Sequence, residues 1–479
     1  MSNQPVLFCF RNDLRLADNR GWHAAATSGH PVIALYVLDD QTPGHWKMGG
    51  ASRWWLHHSL NRLNDDLAEL GGSLRLRHGV WHETVANLAI DCDAAAVYWS
   101  RVYEPYATLG EKTLHDTLQD ADITPKRFRG TLLFEPETVR TLNDDPYKVF
   151  TPFWKSCRKK PAPDAAIGAP KRVTFADSQP ASDNLEDWAL LPTRPDWASG
   201  LRDTWTPGET GAWERLEAFV DGPVANYKEG RDLPAVHGTS MLSPHLHFGE
   251  LSPRQVWHAV HDAITRSSAN QAGADVFLSE IGWREFSYHL LHHWPTLPDA
   301  PFKEKFRSFP WRRDGKSLRA WETGQTGIPI VDAGMRQLWH TGWMHNRVRM
   351  IVASLLIKNV LVHWRDGEDW FWDTLVDADL ASNAAGWQWV AGSGADAAPY
   401  FRIFNPVTQS AKFDPEGHYL RRWVPEIADL PKKYIHDPSS APAEILKGSG
   451  VILGQTYPRA IVDLKETRQR ALDAYKQIK

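Results

Sequence analysis

A chain of 479 residues is too long for one ordinary core and long enough for two or more domains. With 42% hydrophobic and 23% charged residues it belongs to the globular class, and no apolar run approaches a membrane span. The net charge of −4 excludes little, because a nucleic-acid partner needs a local basic face and not a basic total.

The N-terminal MSNQPVLFCF enters a strand-like run with no basic segment, h-region and cleavage site, so a cytoplasmic location is expected. Residues 1–130 alternate strand and helix patterns. VLFCF (6–10), VIALYVLD (32–39), SLRLRHG (73–79), AAVYWS (95–100) and KRFRGTLLF (126–134) read as strands. Residues 21–29, 51–71, 81–92 and 110–121 read as helices between them. Such alternation predicts a parallel sheet covered on both faces, Rossmann-like in class. The GxGxxG fingerprint of a dinucleotide site is absent after the first strand, where RNDLRLADN stands instead. Cys9, Cys92 and Cys157 are scattered and form no CxxC pair, which argues against zinc ribbons, iron–sulfur clusters and disulfide frameworks.

Six prolines between 161 and 195 mark a long linker, taken as 131–204. From 205 to 479 the pattern is helical. Ser252-Pro253 opens one helix by cap and first-turn proline. Val348, Val352, Leu355 and Leu356 mark the apolar stripe of another over 345–365.

Four stretches in this half carry chemistry. In YKEGRDLPAVHGTSMLSPHLHFG (227–249), Thr239, Ser240 and Ser243 cluster before a helix opened by Ser243-Pro244; hydroxyls and free N–H groups there suit phosphate, and Ser243 alone suits capping. In FLSEIGWREF (277–286), Glu280 and Arg284 at i,i+4 read as a surface ion pair, which leaves the nearby Trp283 unexplained. In TGWMHNRVRM (341–350), Asn346 and Met350 share one helix face and His345 and Arg349 the next, a set suited to a flat polar ligand or to a solvated basic face. In DADLASNAAGWQWVAGSG (377–394), Asp377 and Asp379 point to different sides of a helix with no histidine following, so no metal is expected. Trp387 and Trp389 lie roughly 200° apart on a helix. One can face a core and the other a cleft, or both can be core. Tryptophan is the conspicuous residue overall, at 24.

Together RNDLRLADN, RDLPAVHGTSMLSP, WREF, TGWMHNRVRM, DADLASNAAGWQW and DAAPYFRIFNP, in this order, resemble the DNA photolyase/cryptochrome family in its bacterial branch acting on cyclobutane pyrimidine dimers. The resemblance implies an α/β N-terminal domain for an antenna chromophore and an all-α C-terminal domain for FAD. It implies light-dependent repair of UV-damaged DNA by electron donation from reduced FAD to a flipped-out dimer, with a blue-light photoreceptor lacking repair as the alternative. By motif position, Tyr227, Thr239, Ser240, Leu242 and Ser243 would cradle the FAD phosphates. Arg349 and Asp377 would pair beside the isoalloxazine, with Asp379 at its other edge, Arg284 close by and Asn383 at N5. Trp387, Trp364 and Trp311 would pass electrons from the surface to the flavin. Glu280, with its carboxyl protonated, Trp283, Asn346, Arg347, Met350 and Trp389 would line the lesion pocket, and Arg231 and Arg402 would meet DNA phosphates with Arg347.

Asn346 stands where the (6-4) branch has histidine, which points to cyclobutane dimers. Ala384 and Ala385 depart from the Asn-Gly common in the family. For the antenna, Trp46, Lys47, Arg53 and Glu104 are the candidate lining, with methenyltetrahydrofolate preferred and a deazaflavin the alternative. A monomer is expected.

Overall fold

The computed structural model describes residues 4–266, 271–397 and 401–478. Its N-terminal part is a five-stranded, all-parallel sheet of β1 (Val6–Phe10), β2 (Val32–Leu38), β3 (Leu74–His78), β4 (Ala96–Ser100) and β5 (Thr124–Phe128), in the order β3-β2-β1-β4-β5. The central strands are apolar throughout because both their faces are covered. Val6, Phe8 and Phe10 pack with α1 (Arg20–Ala26) and α2 (Gly50–Glu69), and Leu7 and Cys9 pack with α3 (Trp81–Asp91) and α4 (Pro105–Asp120).

The fifth strand corrects the expected 126–134. It begins earlier and stops at Phe128, and the apolar run after it leaves the sheet. Leu133 and Phe134 donate their backbone N–H groups to Glu285 Oε2 at 2.9 Å each, and Leu132 and Phe134 are buried against the helical part. The run is apolar because a helix covers it, and a carboxylate takes the place of strand pairing.

The RNDLRLADN segment after β1 makes an interdomain joint. Arg15 donates to Gly249 O at 2.7 Å, Leu14 N donates to Phe248 O at 3.0 Å, and Asp18 pairs with Arg254 at 2.9 Å. The proline-rich segment is tied to the β2–β3 side of the sheet: Val32 N donates to Thr174 O, and Asp183 N to Leu76 O, at 2.8 Å each.

The helices used below are α5 (Ser243–His247), α6 (Pro253–Arg266), α7 (Gln271–His293), α8 (Pro329–Thr341), α9 (Asn346–Ser354), α10 (Trp364–Thr374) and α11 (Leu380–Ala391). Helix α6 opens with a reciprocal capping box: Ser252 Oγ accepts from Gln255 N–H and Gln255 Oε1 accepts from Ser252 N–H. The single helix expected over 345–365 is two. Helix α9 runs into a π-helical turn at Leu355–Val360, Leu361 takes the left-handed region at φ 65°, and His363 caps α10. The apolar stripe continues through the break, so periodicity could not reveal it. Among the described residues no helix is long and apolar enough to cross a membrane, and no group of three or more metal-ligating side chains forms.

Candidate active site

Helix α11 runs through the middle of the helical part with α7, α9 and α10 packed on it. Most of it is buried, but Ser382 and Gly386 are exposed and Asn383 and Trp389 are partly exposed. These positions recur every three or four residues and form one stripe. A Cβ on Gly386 would meet nothing within 4 Å. This central helix therefore has open space along one stripe, beside Gly386.

The two aspartates before α11 are not on it, contrary to the helical placement. Asp379 is its N-cap: the backbone is extended and Oδ1 accepts from Ser382 N at 2.8 Å. Its other oxygen takes Tyr288 Oη–H and lies 3.4 Å from His247 Nδ1. Burial would raise this carboxyl, but the bonds from His247 and Tyr288 and the charges of His247 and Arg284 hold it well below the usual carboxylate range. Asp377 accepts both of its contacts from Arg349 Nη2, at 2.8 and 3.1 Å, and takes Ser243 Oγ–H at 2.6 Å. Ser243 therefore does not cap α5, whose N-cap is Leu242.

The loop before α5 folds tightly. A Cβ on Gly238 would come within 2.5 Å of Gly230 O, and Met241, between Ser240 and Leu242, sits at φ 52°. A non-glycine residue there costs roughly 1–2 kcal/mol. Thr239 and Ser240 are partly exposed, while Leu242 and Tyr227 are buried, Tyr227 edge-on to Phe277 at 5.4 Å.

Asn383 donates Nδ2 to the backbone oxygen of Glu368 at 3.1 Å, which leaves Oδ1 as the other end of the amide. Both carboxyl oxygens of Glu368 are buried with no hydrogen-bond partner, and burial pushes the group well above the usual range. His345 caps α9, where its Nδ1 accepts from Arg347 N–H at 3.2 Å. Its Nε2 is buried and unpartnered, and burial lowers the ring to about 4.

The expected Glu280–Arg284 pair does not form. Glu280 is bonded to Arg231. Burial raises its carboxyl although the Arg231 charge opposes it. Arg284 is engaged elsewhere: it donates to Thr131 O at 3.0 Å and Leu246 O at 3.4 Å and lies over the Tyr288 ring at 4.8 Å. Trp283 stacks on Phe150 at 3.8 Å and 11°, so one of its faces is already covered. Arg347 pairs with Asp232 at 2.7 Å and lies 4.4 Å over Phe413, with Nη1 3.9 Å from Met350 Sδ. Asn346 and Arg402 are exposed. Residues 398–400, inside DAAPYFRIFNP, lie outside the described residues.

Trp387 and Trp364 are buried in one cluster, and Trp311 packs on it partly exposed. Trp387 is edge-on to Phe371 at 5.0 Å, and a Cβ on Gly367 would come within 2.1 Å of its ring. His363 bridges the outer pair, 5.5 Å from Trp364 and 5.1 Å from Trp311. Phe150, Asp232, His247, His363 and Glu368 were not singled out by sequence. They come from segments distant from their partners or, for His363, from beside a flagged tryptophan.

A cavity of about 130 Å³ opens at the C-terminal ends of β1, β2 and β4, where the strand order reverses. Arg11, Trp46, Glu104, Tyr106, His247 and Ala378 line it. Of the four residues expected there, Lys47 and Arg53 do not line it. Lys47 meets the helical part through its carbonyl, which accepts from Trp372 at 2.8 Å, and Arg53 pairs with Asp40.

Known proteins match this architecture along its length. The model of the FAD binding domain of DNA photolyase matches residues 277–477, and the DNA photolyase model matches residues 6–171. The chain is 50% identical to the deoxyribodipyrimidine photo-lyase of Agrobacterium fabrum, over 100% of this chain and 99% of that one. It is 37% identical to cryptochrome-1 of Arabidopsis thaliana, over 98% of this chain and 70% of that one. A crystal structure of a bacterial class III photolyase from Agrobacterium tumefaciens superposes with a TM-score of 0.95 at 50% identity, covering 100% of this chain and 98% of that one. The chain belongs to the DNA photolyase family.

Proposed function

We propose that this enzyme repairs DNA with light, splitting cyclobutane pyrimidine dimers that are flipped from the duplex into the cavity beside α11. The observation that carries the reading is that α7, which bears Glu280 and Trp283, and α9, which bears Asn346 and Met350, both pack on α11, whose open stripe bears Asn383 and Trp389.

The residues present fit FAD. The open stripe leaves room for a flat ring, and the Arg349–Asp377 pair and Asn383 offer donors and acceptors in a small space. When bound in reduced form and excited by light, FAD supplies the electron that splits the dimer. With its NH₂ held by the Glu368 carbonyl, Asn383 presents an oxygen, which favours a protonated nitrogen opposite it without adding charge. Thr239, Ser240 and Ser243 serve the phosphates, and Tyr227 and Leu242 wall that loop. Arg284 acts by holding Tyr288 and the Thr131 and Leu246 carbonyls around Asp379. Trp387, Trp364 and Trp311 give a path from the surface to α11, with His363 stacked into it.

Trp283 and Trp389 stack on the lesion, at about 1–3 kcal/mol per stacked base. Asn346 and Glu280 hydrogen-bond its polar edge, and Met350 packs on it. Arg231, Arg347 and Arg402 meet phosphates. When Arg231 turns to phosphate, Glu280 loses the charge that opposes its burial, and its carboxyl is pushed further up, toward the protonated form that can donate.

The cavity at the strand ends takes the antenna, for which methenyltetrahydrofolate is our choice and a deazaflavin the alternative. At about 130 Å³ it is smaller than the roughly 300 Å³ of an ordinary ligand pocket, so it seats a ring and leaves the rest of the molecule outside. Glu104 supplies an acceptor for ring N–H groups. We take 1–130, 131–204 and 205–479 as antenna domain, linker and catalytic domain, and the protein as a cytoplasmic monomer.

The test is repair of UV-irradiated oligo(dT) by protein carrying reduced FAD. Absorbance at about 260 nm recovers under blue light and not in darkness. No recovery in light with FAD bound would make the protein a photoreceptor.

A further inference from the structure

Arg231 and Asp232 are consecutive, follow the short helix Tyr227–Gly230, and carry opposite charges. Each is paired across the rim of the lesion cavity, Arg231 with Glu280 on α7 and Asp232 with Arg347 on α9. Two cations and two carboxylates thus cancel where DNA phosphate must approach. Asp232 is an unexpected residue here, since a carboxylate on a DNA-facing rim repels the ligand.

The Arg347 side chain is 21% exposed and Asp232 34%, so phosphate can exchange with the carboxylate. Arg347 is nevertheless held in one place: Asp232 takes Nη2, Phe413 lies 4.4 Å beneath the guanidinium, and Met350 Sδ is 3.9 Å from Nη1. A cation fixed beside the lesion pocket meets a phosphate brought there by a flipped nucleotide. A cation free to swing meets any phosphate on any duplex.

Building on the proposed repair of flipped dimers, we propose that Asp232 is a positioning residue for specificity. It parks Arg347 so that the charge serves the lesion complex and is withheld from intact DNA. Fixing the side chain beforehand removes an ordering cost from the specific complex, and neutralising it removes counterion-release affinity from the non-specific one.

The test measures binding of wild type, Asp232→Asn and Asp232→Glu, each loaded with FAD, to one duplex with and without a single thymine dimer, across a salt series in darkness. Asp232→Asn is expected to bind intact duplex about three- to tenfold more tightly, with a salt slope steeper by roughly one phosphate. Its affinity for the dimer duplex should change less than twofold, so discrimination falls, and Asp232→Glu should restore it. Equal gains on both duplexes, or an unchanged slope on intact DNA, would overturn the proposal. Loss of affinity on both would assign Asp232 a purely structural role and overturn it equally. Failure of the wild type to prefer the dimer duplex would instead remove the repair reading itself.

Discussion

The cavity at the strand ends reaches the short segment that leads into α11, so it borders the site proposed there. Ala378 lines the first, while its neighbours Asp377 and Asp379 hold Arg349 and cap α11. His247 lines the first cavity and reaches Asp379. The two are nonetheless built differently. The strand-end cavity exists because the sheet's strand order reverses there, so the topology makes the space and the lining is left to vary. The site proposed beside α11 is bordered by side-chain devices instead: the Asp379 cap, the Arg349–Asp377 pair and the open stripe of α11. Losing one lining residue of a space given by topology weakens what it binds, whereas losing one partner of a buried charge pair also strands the other.

Arg349→Ala strands the buried Asp377 carboxylate, at about 3–5 kcal/mol for breaking such a pair. The protein should therefore purify with little or no FAD, read from visible absorbance. Full occupancy would show that the pair is not part of the seat. Trp283→Ala removes a stacking face, about 1–3 kcal/mol. Dimer-duplex affinity should drop roughly tenfold or more while intact-duplex affinity holds, and equal losses on both would mean that Trp283 only supports Phe150. On the topological side, Glu104→Gln should lower retention of the proposed antenna chromophore severalfold, seen as a weaker near-UV band, with FAD content unchanged. Loss of FAD there would erase the distinction between the two cavities.

The smallest expected effect concerns Glu368. Its folded-state carboxyl is raised well above about 4.5, its value when exposed. Above that value the unfolded chain releases a proton that the folded chain keeps, so stability falls as pH rises until the folded group ionises too. Glu368→Gln removes this slope. The variant's Tm should gain on the wild type from about pH 5 to pH 8, and a constant gap would mean that the buried carboxyl is not protonated.

The sheet is legible because β1 and β2 are apolar on both faces, and the family because its motifs are short and ordered. What stayed hidden has a physical pattern. The end of β5 is hidden because Arg284 and Glu285, far along the chain, take the Thr131 carbonyl and the Leu133 and Phe134 N–H groups. The break after Val360 was missed because the apolar stripe runs straight through it. Glu280 was matched to Arg284 by helical spacing, but Arg231 reaches it through a loop, and i,i+4 spacing carries no information about that competitor. Asp379 stands just outside α11 as its N-cap, a position that aspartate favours, so residue type points to the cap while periodicity alone does not.

The central claim is that one cavity seats cofactor and lesion in contact. The direct measurement is the excited-state lifetime of reduced FAD in the protein, with saturating dimer duplex and with saturating intact duplex. A lifetime shortened by the dimer alone, as electron transfer to an adjacent lesion demands, is the predicted result. An unchanged lifetime with the dimer duplex demonstrably bound would contradict it.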